Sequence, residues 1–118
     1  MNEYQTMVRK LAKNPFEILN IVKDNPALLH LLHMAVGISG ESGELLDAVK
    51  KHVVYNKPLD LENIIEELGD LEFFMEGLRQ SVGVTREQTL EQNMRKLSVR
   101  YNGLQYSDQQ AQDRRDKQ

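Results

Sequence analysis

LENIIEELGDLEFFMEGLRQSV, residues 61–82, is the stretch whose reading decides the fold. Its apolar positions are Leu61, Ile64, Leu68, Leu71, Met75, Leu78 and Val82. Their spacing alternates between three and four, the repeat of a helix face packed along a bundle seam. A strand would alternate in twos instead. Asp60 stands where an N-cap is wanted and Gly83 where the helix must stop.

Working outward, a second long apolar pattern runs from Ala27 to about Val53, roughly 40 Å at about 1.5 Å per residue. Asn25 offers its cap, Pro26 suits its first helical position, and Asn56 to Pro58 breaks it. Downstream, Thr85 and Gln88 have the spacing of a capping box, and Leu90, Met94, Leu97 and Tyr101 form an inward stripe that Gly103 ends. Upstream, residues 3–13 place Tyr4, Met7, Val8 and Leu11 on one side of a short helix, and a second short helix covers Phe16 to Lys23. The expectation is an all-α helical bundle: two long central helices, a third, and short N-terminal helices. Residues 1–103 form one domain. Residues 104–118 are polar, rich in Gln and Asp, and without an apolar period, so they are expected to be a disordered tail.

A chain of 118 residues is long enough for one self-supporting domain. It has no cysteine, which excludes disulfides, thiolate zinc sites and thiol nucleophiles. No apolar run reaches the roughly 20 residues of a membrane helix, and Met1 to Lys13 is too polar for a secretory signal. The expected setting is cytoplasmic, with no membrane partner. A formal net charge of -3 argues against coating a nucleic-acid polymer. It leaves a nucleotide substrate open, because a bound cation reverses the local sign.

Two acidic pairs carry the chemistry. Glu41 and Glu44 are three apart on the first long helix, and Glu67 and Asp70 are three apart on the second, so each pair shares a helix face. If the helices pair through their seams, the four carboxylates converge at the edge of the core. Solvated surface acids are the ordinary explanation of a single such pair. Three features count against it here. Gly40 and Gly43 bracket the first pair and Gly69 lies inside the second, each costing about 0.5–1 kcal/mol relative to alanine in a helix. Close helix approach or room for a ligand would explain them. Glu62, Glu66, Glu67, Asp70 and Glu72 crowd together with no lysine or arginine among them, which is unfavourable unless a cation offsets it. Finally, both pairs have the same spacing on successive helices.

Hard oxygen donors without His or Cys select Mg²⁺, with Mn²⁺ as an alternative, and magnesium completes its shell with water and substrate phosphates. That points to phosphoryl chemistry with a water activated by the metal. No Gly-x-x-x-x-Gly-Lys-Ser/Thr loop is present, so separate basic groups must hold the phosphates. Candidates are Lys50 and Lys51, two turns past Glu44, and the stripe Asn93, Lys96 and Arg100. His33 lies two turns before Glu41 and is a candidate for a base or sugar pocket, although a core histidine is the commoner case. Phe73 and Phe74 read as core or dimer contacts.

At these residues the sequence resembles the MazG family. Glu41-Ser42-Gly43-Glu44 and Glu67-Leu68-Gly69-Asp70 are similar to the family's Glu-x-x-Glu and Glu-x-x-Asp. Asn93-Met94-Arg95-Lys96-Leu97 with Arg100-Tyr101 is similar to its Asn-x-x-Lys-Leu…Arg-Tyr segment. The likeness spans roughly residues 30–101 and is nearest to the compact, single-domain type of phages and bacteria. It implies a Mg²⁺-dependent nucleoside triphosphate pyrophosphohydrolase that yields monophosphate and pyrophosphate, working as a homodimer or homotetramer. It implies Glu41, Glu44, Glu67 and Asp70 as metal ligands, one of them also orienting the attacking water, and Asn93 and Lys96 as contacts to phosphate or metal. Phosphoribosyl-ATP pyrophosphohydrolases and dimeric dUTPases are relatives that share the carboxylate plan. The former more often follow the second acidic run with an aromatic-histidine segment, where this chain has Leu71-Glu72-Phe73-Phe74; the latter are usually longer. A di-iron bundle would need Glu-x-x-His repeats, and none is present. A non-enzymatic helical interaction module would explain the seam but not the glycines beside the acids.

Overall fold

The computed structural model describes residues 2–117. Among the described residues six α-helices follow one another: α1 (Glu3–Leu11), α2 (Pro15–Val22), α3 (Pro26–Val53), α4 (Leu61–Val82), α5 (Arg86–Arg100) and α6 (Asp108–Asp113). Single 3₁₀ turns occupy Asn102–Leu104 and Arg115–Lys117. No strand occurs among the described residues, and the fold class is all-α.

The helix ends sit where local chemistry puts them. Asn25 accepts from the Leu28 N–H at 3.1 Å, and Asp60 accepts from the Asn63 N–H at 3.1 Å. Thr85 and Gln88 close their box in both directions, at 2.8 and 3.1 Å. Each bond satisfies a backbone donor that has no partner inside the helix. Asn2 and Gln5 make the same reciprocal pair ahead of α1, a cap the sequence reading passed over. Past the end of α3, Asn56 takes a φ of 53°, a left-handed conformation that asparagine tolerates.

The chain divides after Leu78 into two compact units. In the first, α3 and α4 run antiparallel, and close contacts fix their register. The Gly37 backbone lies against the Phe74 ring, where a Cβ would collide with it, and Gly77 lies in the same way against the Met34 sulfur. Three residues forward on α3 match three residues backward on α4. The His33 ring tilts against Phe74 at 6.2 Å, and Phe73 meets Phe74 edge-on at 5.2 Å. Met34 and Ala48 are buried, at 5% and 7% exposure. A pair of helices covers one stripe only, so the seam of α4 is partly open: Ile64, Leu71, Met75 and Leu78 are half-buried, while Leu61, Leu68 and Val82 are exposed.

The second unit, from Arg79 on, holds the last turn of α4, α5 and the segment that follows it. Leu97 and Tyr101 are half-buried, but Leu90 and Met94, expected to point inward, are exposed. Gly103, at a φ of 72°, turns the chain back. The Tyr106 ring then lies 5.6 Å from that of Tyr101, the Asn102 N–H donates to Gln110 at 3.0 Å, and Ser107 caps α6. Arg100 grips Asp116 through Nε at 2.9 Å and Nη2 at 3.3 Å. Residues 104–118, expected to be a disordered tail, hold α6 and the 3₁₀ turn Arg115–Lys117 in the structure. Contacts of this segment include polar groups and an aromatic pair, which an apolar period does not register.

The glycines separate into two classes with opposite expected responses. Gly37→Ala should destabilise by about 1–3 kcal/mol, because the added methyl overpacks a ring contact. Gly77→Ala should cost less, since the flexible end of Met34 can move aside. Gly40→Ala meets no atom within 4 Å and should stabilise α3, by up to about 1 kcal/mol. Urea melts of the three variants check the order.

Candidate metal centre

The register set by Gly37 and Phe74 carries forward along both helices. One turn on, Glu41 comes opposite Asp70, and a further turn brings Glu44 opposite Glu67. Carboxylate oxygens of Glu41, Glu67 and Asp70 all lie within 4.8 Å of one another. Glu41 and Glu67 are half-buried, and Asp70 is exposed. Glu44 is exposed and stands outside this group of three, although its charge is felt at Glu67. Two ligands of one hard cation stand at most about 4–5 Å apart, so the three oxygens have nearly the spacing that such an ion requires.

The electrostatics point the same way. The Glu67 carboxyl is pushed above its ordinary 4.5, first by partial burial, then by its hydrogen bond with Glu41, then by the charges of Glu41, Glu44 and Asp70. A carboxylate crowded by three others holds its proton more tightly unless a cation offsets the repulsion. All three donors are hard oxygens, with no imidazole or thiolate among them. The donor set therefore fits a divalent ion of the magnesium or manganese kind better than zinc or copper. Gly40, Gly43 and Gly69 meet nothing within 4 Å where their Cβ would stand. Close helix approach is thus not their reason, and the space beside the acids is open. The close approaches belong to Gly37 and Gly77, which no spacing rule singled out.

The remaining candidates are placed as follows. Lys51 pairs with Asp47 at 3.1 Å, an exposed contact one turn apart, and Lys50 lies 5.7 Å from the centre of the Tyr55 ring. His33 is exposed and leans on Phe74, on the same helix as Glu41. Along α5, Asn93 is exposed, Lys96 is half-buried, and Arg100 is engaged by Asp116. Sequence reasoning missed Asp116; nothing in a short polar run identifies a partner sixteen residues back. No helix of the described residues is long and apolar enough to cross a membrane.

The MazG nucleotide pyrophosphohydrolase domain matches residues 30–104, well over half of the chain and both acidic pairs. The chain belongs to the MazG family. No curated protein and no solved structure matches it. Membership supports nucleotide pyrophosphohydrolase activity in general, and with it a nucleotide substrate. The MazG family is typically dependent on a divalent metal, and the Glu41, Glu67 and Asp70 carboxylates could hold such an ion.

Glu67 supplies a pH test of the cluster. Its pKa is raised in the folded chain, so its contribution to stability is fully present below the unfolded value and is lost as pH rises through the folded one. Without divalent ion, Glu67→Gln should therefore melt progressively higher than wild type as pH climbs from about 4 towards 7. Added Mg²⁺ should stabilise the wild type and erase that advantage. Circular-dichroism melts across the pH range, with and without the ion, measure both effects.

Proposed function

We propose that this MazG-family chain is a Mg²⁺-dependent nucleoside triphosphate pyrophosphohydrolase. It would cut between the α and β phosphates and release nucleoside monophosphate and pyrophosphate. The single observation that carries the reading is the meeting of Glu41, Glu67 and Asp70 oxygens within 4.8 Å in a chain of this family. In this reading Glu41, Glu67 and Asp70 hold the ion, with Mn²⁺ as an effective substitute. Glu44, one turn along, completes the acidic face or orients the water. A divalent ion there would offset the clustered charge, draw in phosphate oxygens and make a water more acidic.

The rest falls to the chain's own side chains. Lys96 and Arg100 offer cations, and Asn93 an amide, to phosphate oxygens. Lys51 would exchange Asp47 for phosphate, a low-cost exchange because an exposed pair of this kind is worth no more than about 0.5 kcal/mol. His33 with Phe74 supplies a flat, partly apolar edge for a base or sugar. The open ground at Gly40, Gly43 and Gly69 leaves room for a bulky substrate beside the acids. The reaction is assigned to the cytoplasm, in keeping with a chain that has no cysteine.

Assembly belongs to the same proposal. Val36, Leu46, Leu68 and Phe73 stand half or more exposed on α3 and α4, more apolar surface than a stable monomer usually leaves to water. A homodimer or homotetramer would cover it. Light scattering should give a mass of two or four chains; an active monomer would refute this part.

The chemical part rests on products and on metal linkage. Incubation of a triphosphate with the protein and Mg²⁺ should yield monophosphate and pyrophosphate, and a chelator should stop it. Release of diphosphate and orthophosphate would mean that another bond is cut. Asp70→Asn should lower turnover by on the order of 100-fold or more. The same change should shrink the Mg²⁺-induced stabilisation, which for the wild type is about 2.7 kcal/mol when the free ion is at a hundred times its dissociation constant. A non-enzymatic helical module would show neither turnover nor a magnesium shift.

A further inference from the structure

Arg100 closes the stripe of α5 that begins at Asn93, yet in this structure it is not free to meet a ligand. Asp116 takes it in a two-pronged grip, Nε to Oδ1 at 2.9 Å and Nη2 to Oδ2 at 3.3 Å. The pair is well sheltered, with side-chain exposures of 16% and 6%. Those two oxygens present to the guanidinium the geometry that two phosphate oxygens would present. Lys96, one turn back, also pulls on the Asp116 charge. Beside the pair lies a pocket of about 340 Å³ whose lining includes Arg95, Lys96, Arg115, Asp116 and Lys117. Four of these five are cations, and the lone acid is the residue on Arg100. All of this lies within the second unit.

We propose that the segment after Gly103 is a built-in competitor: its Asp116 carboxylate occupies the phosphate-binding cations of α5 and must let go before a polyphosphate can bind there. The proposal rests on the reading of Lys96 and Arg100 as phosphate contacts. Its logic is that of a binding-competent state populated only in part, which weakens apparent affinity by the fraction that is open. The holding elements include the Tyr101–Tyr106 rings, the bond from Asn102 to Gln110, and the Asp116 grip. Such a segment can open without unfolding α5. A polyphosphate brings several negative charges where Asp116 brings one, so it can displace the carboxylate and still leave the chain closed in its absence.

Asp116→Asn keeps the shape and removes the charge. It should tighten binding of inorganic tripolyphosphate, measured by calorimetry without divalent ion, by on the order of fivefold. It should lower KM for a triphosphate by a similar factor and leave kcat nearly unchanged. A chain ending at Gly103 should behave alike, and a peptide of residues 104–117 added to it should compete with tripolyphosphate. A merely structural pin predicts the reverse: Asp116→Asn would lower the melting temperature and leave affinity unchanged or weaker. Unchanged or weaker binding in both variants, with no competition by the peptide, overturns the proposal. Tighter tripolyphosphate binding in a protein that never hydrolyses a triphosphate would refute the enzymatic reading and leave the competitor standing; full turnover with unchanged binding would do the opposite.

Discussion

The close approach of α3 and α4 at Gly37 is the constraint on which the candidate site depends. With no side chain at Gly37, the Phe74 ring lies directly on the α3 backbone, and Met34 does the same against Gly77 one turn away. These two contacts fix both the distance and the register of the pair. Side chains on a helix recur on one face every three or four residues, so fixing one rung fixes the next. Glu41 therefore comes up against Asp70 and Glu67, with Glu44 one turn further on. A slip of a single residue would rotate the acids by about 100° and disperse them. Packing that looks remote from the chemistry is thus what aims it.

That aim opposes the stability of the chain on its own. Clustered carboxylates repel, and the raised Glu67 pKa reflects its partial burial first, then its hydrogen bond with Glu41 and the charges of Glu41, Glu44 and Asp70. The helices bear the repulsion because the contacts among Met34, Gly37, Phe74 and Gly77 lie one to three turns away and do not depend on it. Local violation of a helix-building rule, compensated by packing elsewhere, is what a binding site looks like when no ligand is counted in the balance. The mid-helix glycines beside the acids belong to the same pattern: each weakens α3 or α4 and each leaves open ground.

Much of this was legible in the sequence, for identifiable reasons. Helix limits were readable because Asn25, Asp60 and Thr85 are capping residues ahead of apolar periods, and each makes its bond. The approach of Glu41 to Glu67 and Asp70 was readable because equal spacing on two successive helices puts the pairs on facing stripes, whereas Glu44, expected to converge with them, stands outside the group. The register was not readable, since a glycine opposite an aromatic ring has no signature in either helix alone. Nor was the exposure of Leu90 and Met94: an apolar period shows which face is sticky, not whether this chain covers it. The segment after Gly103 was read as disordered because apolar periodicity was the signal sought, whereas it is held by a carboxylate–guanidinium pair between residues sixteen apart.

The Arg100–Asp116 pair shows how one kind of contact can serve two ends. A sheltered ion pair adds little net stability, because removing both charges from water offsets most of their attraction. Its effect is specificity: Asp116 both reaches Arg100 and matches its planar fork. The same fork is the natural partner of a phosphate. A guanidinium with the proposed role of binding phosphate cannot be left to pair with any passing acid, yet a cation held by nothing would draw anions indiscriminately. A weak, well-shaped internal partner meets both conditions. It excludes poor competitors and yields to a ligand with more charge. The small stability expected of the pair is therefore a requirement of that role, since a strong lock on Arg100 would shut out the substrate along with everything else.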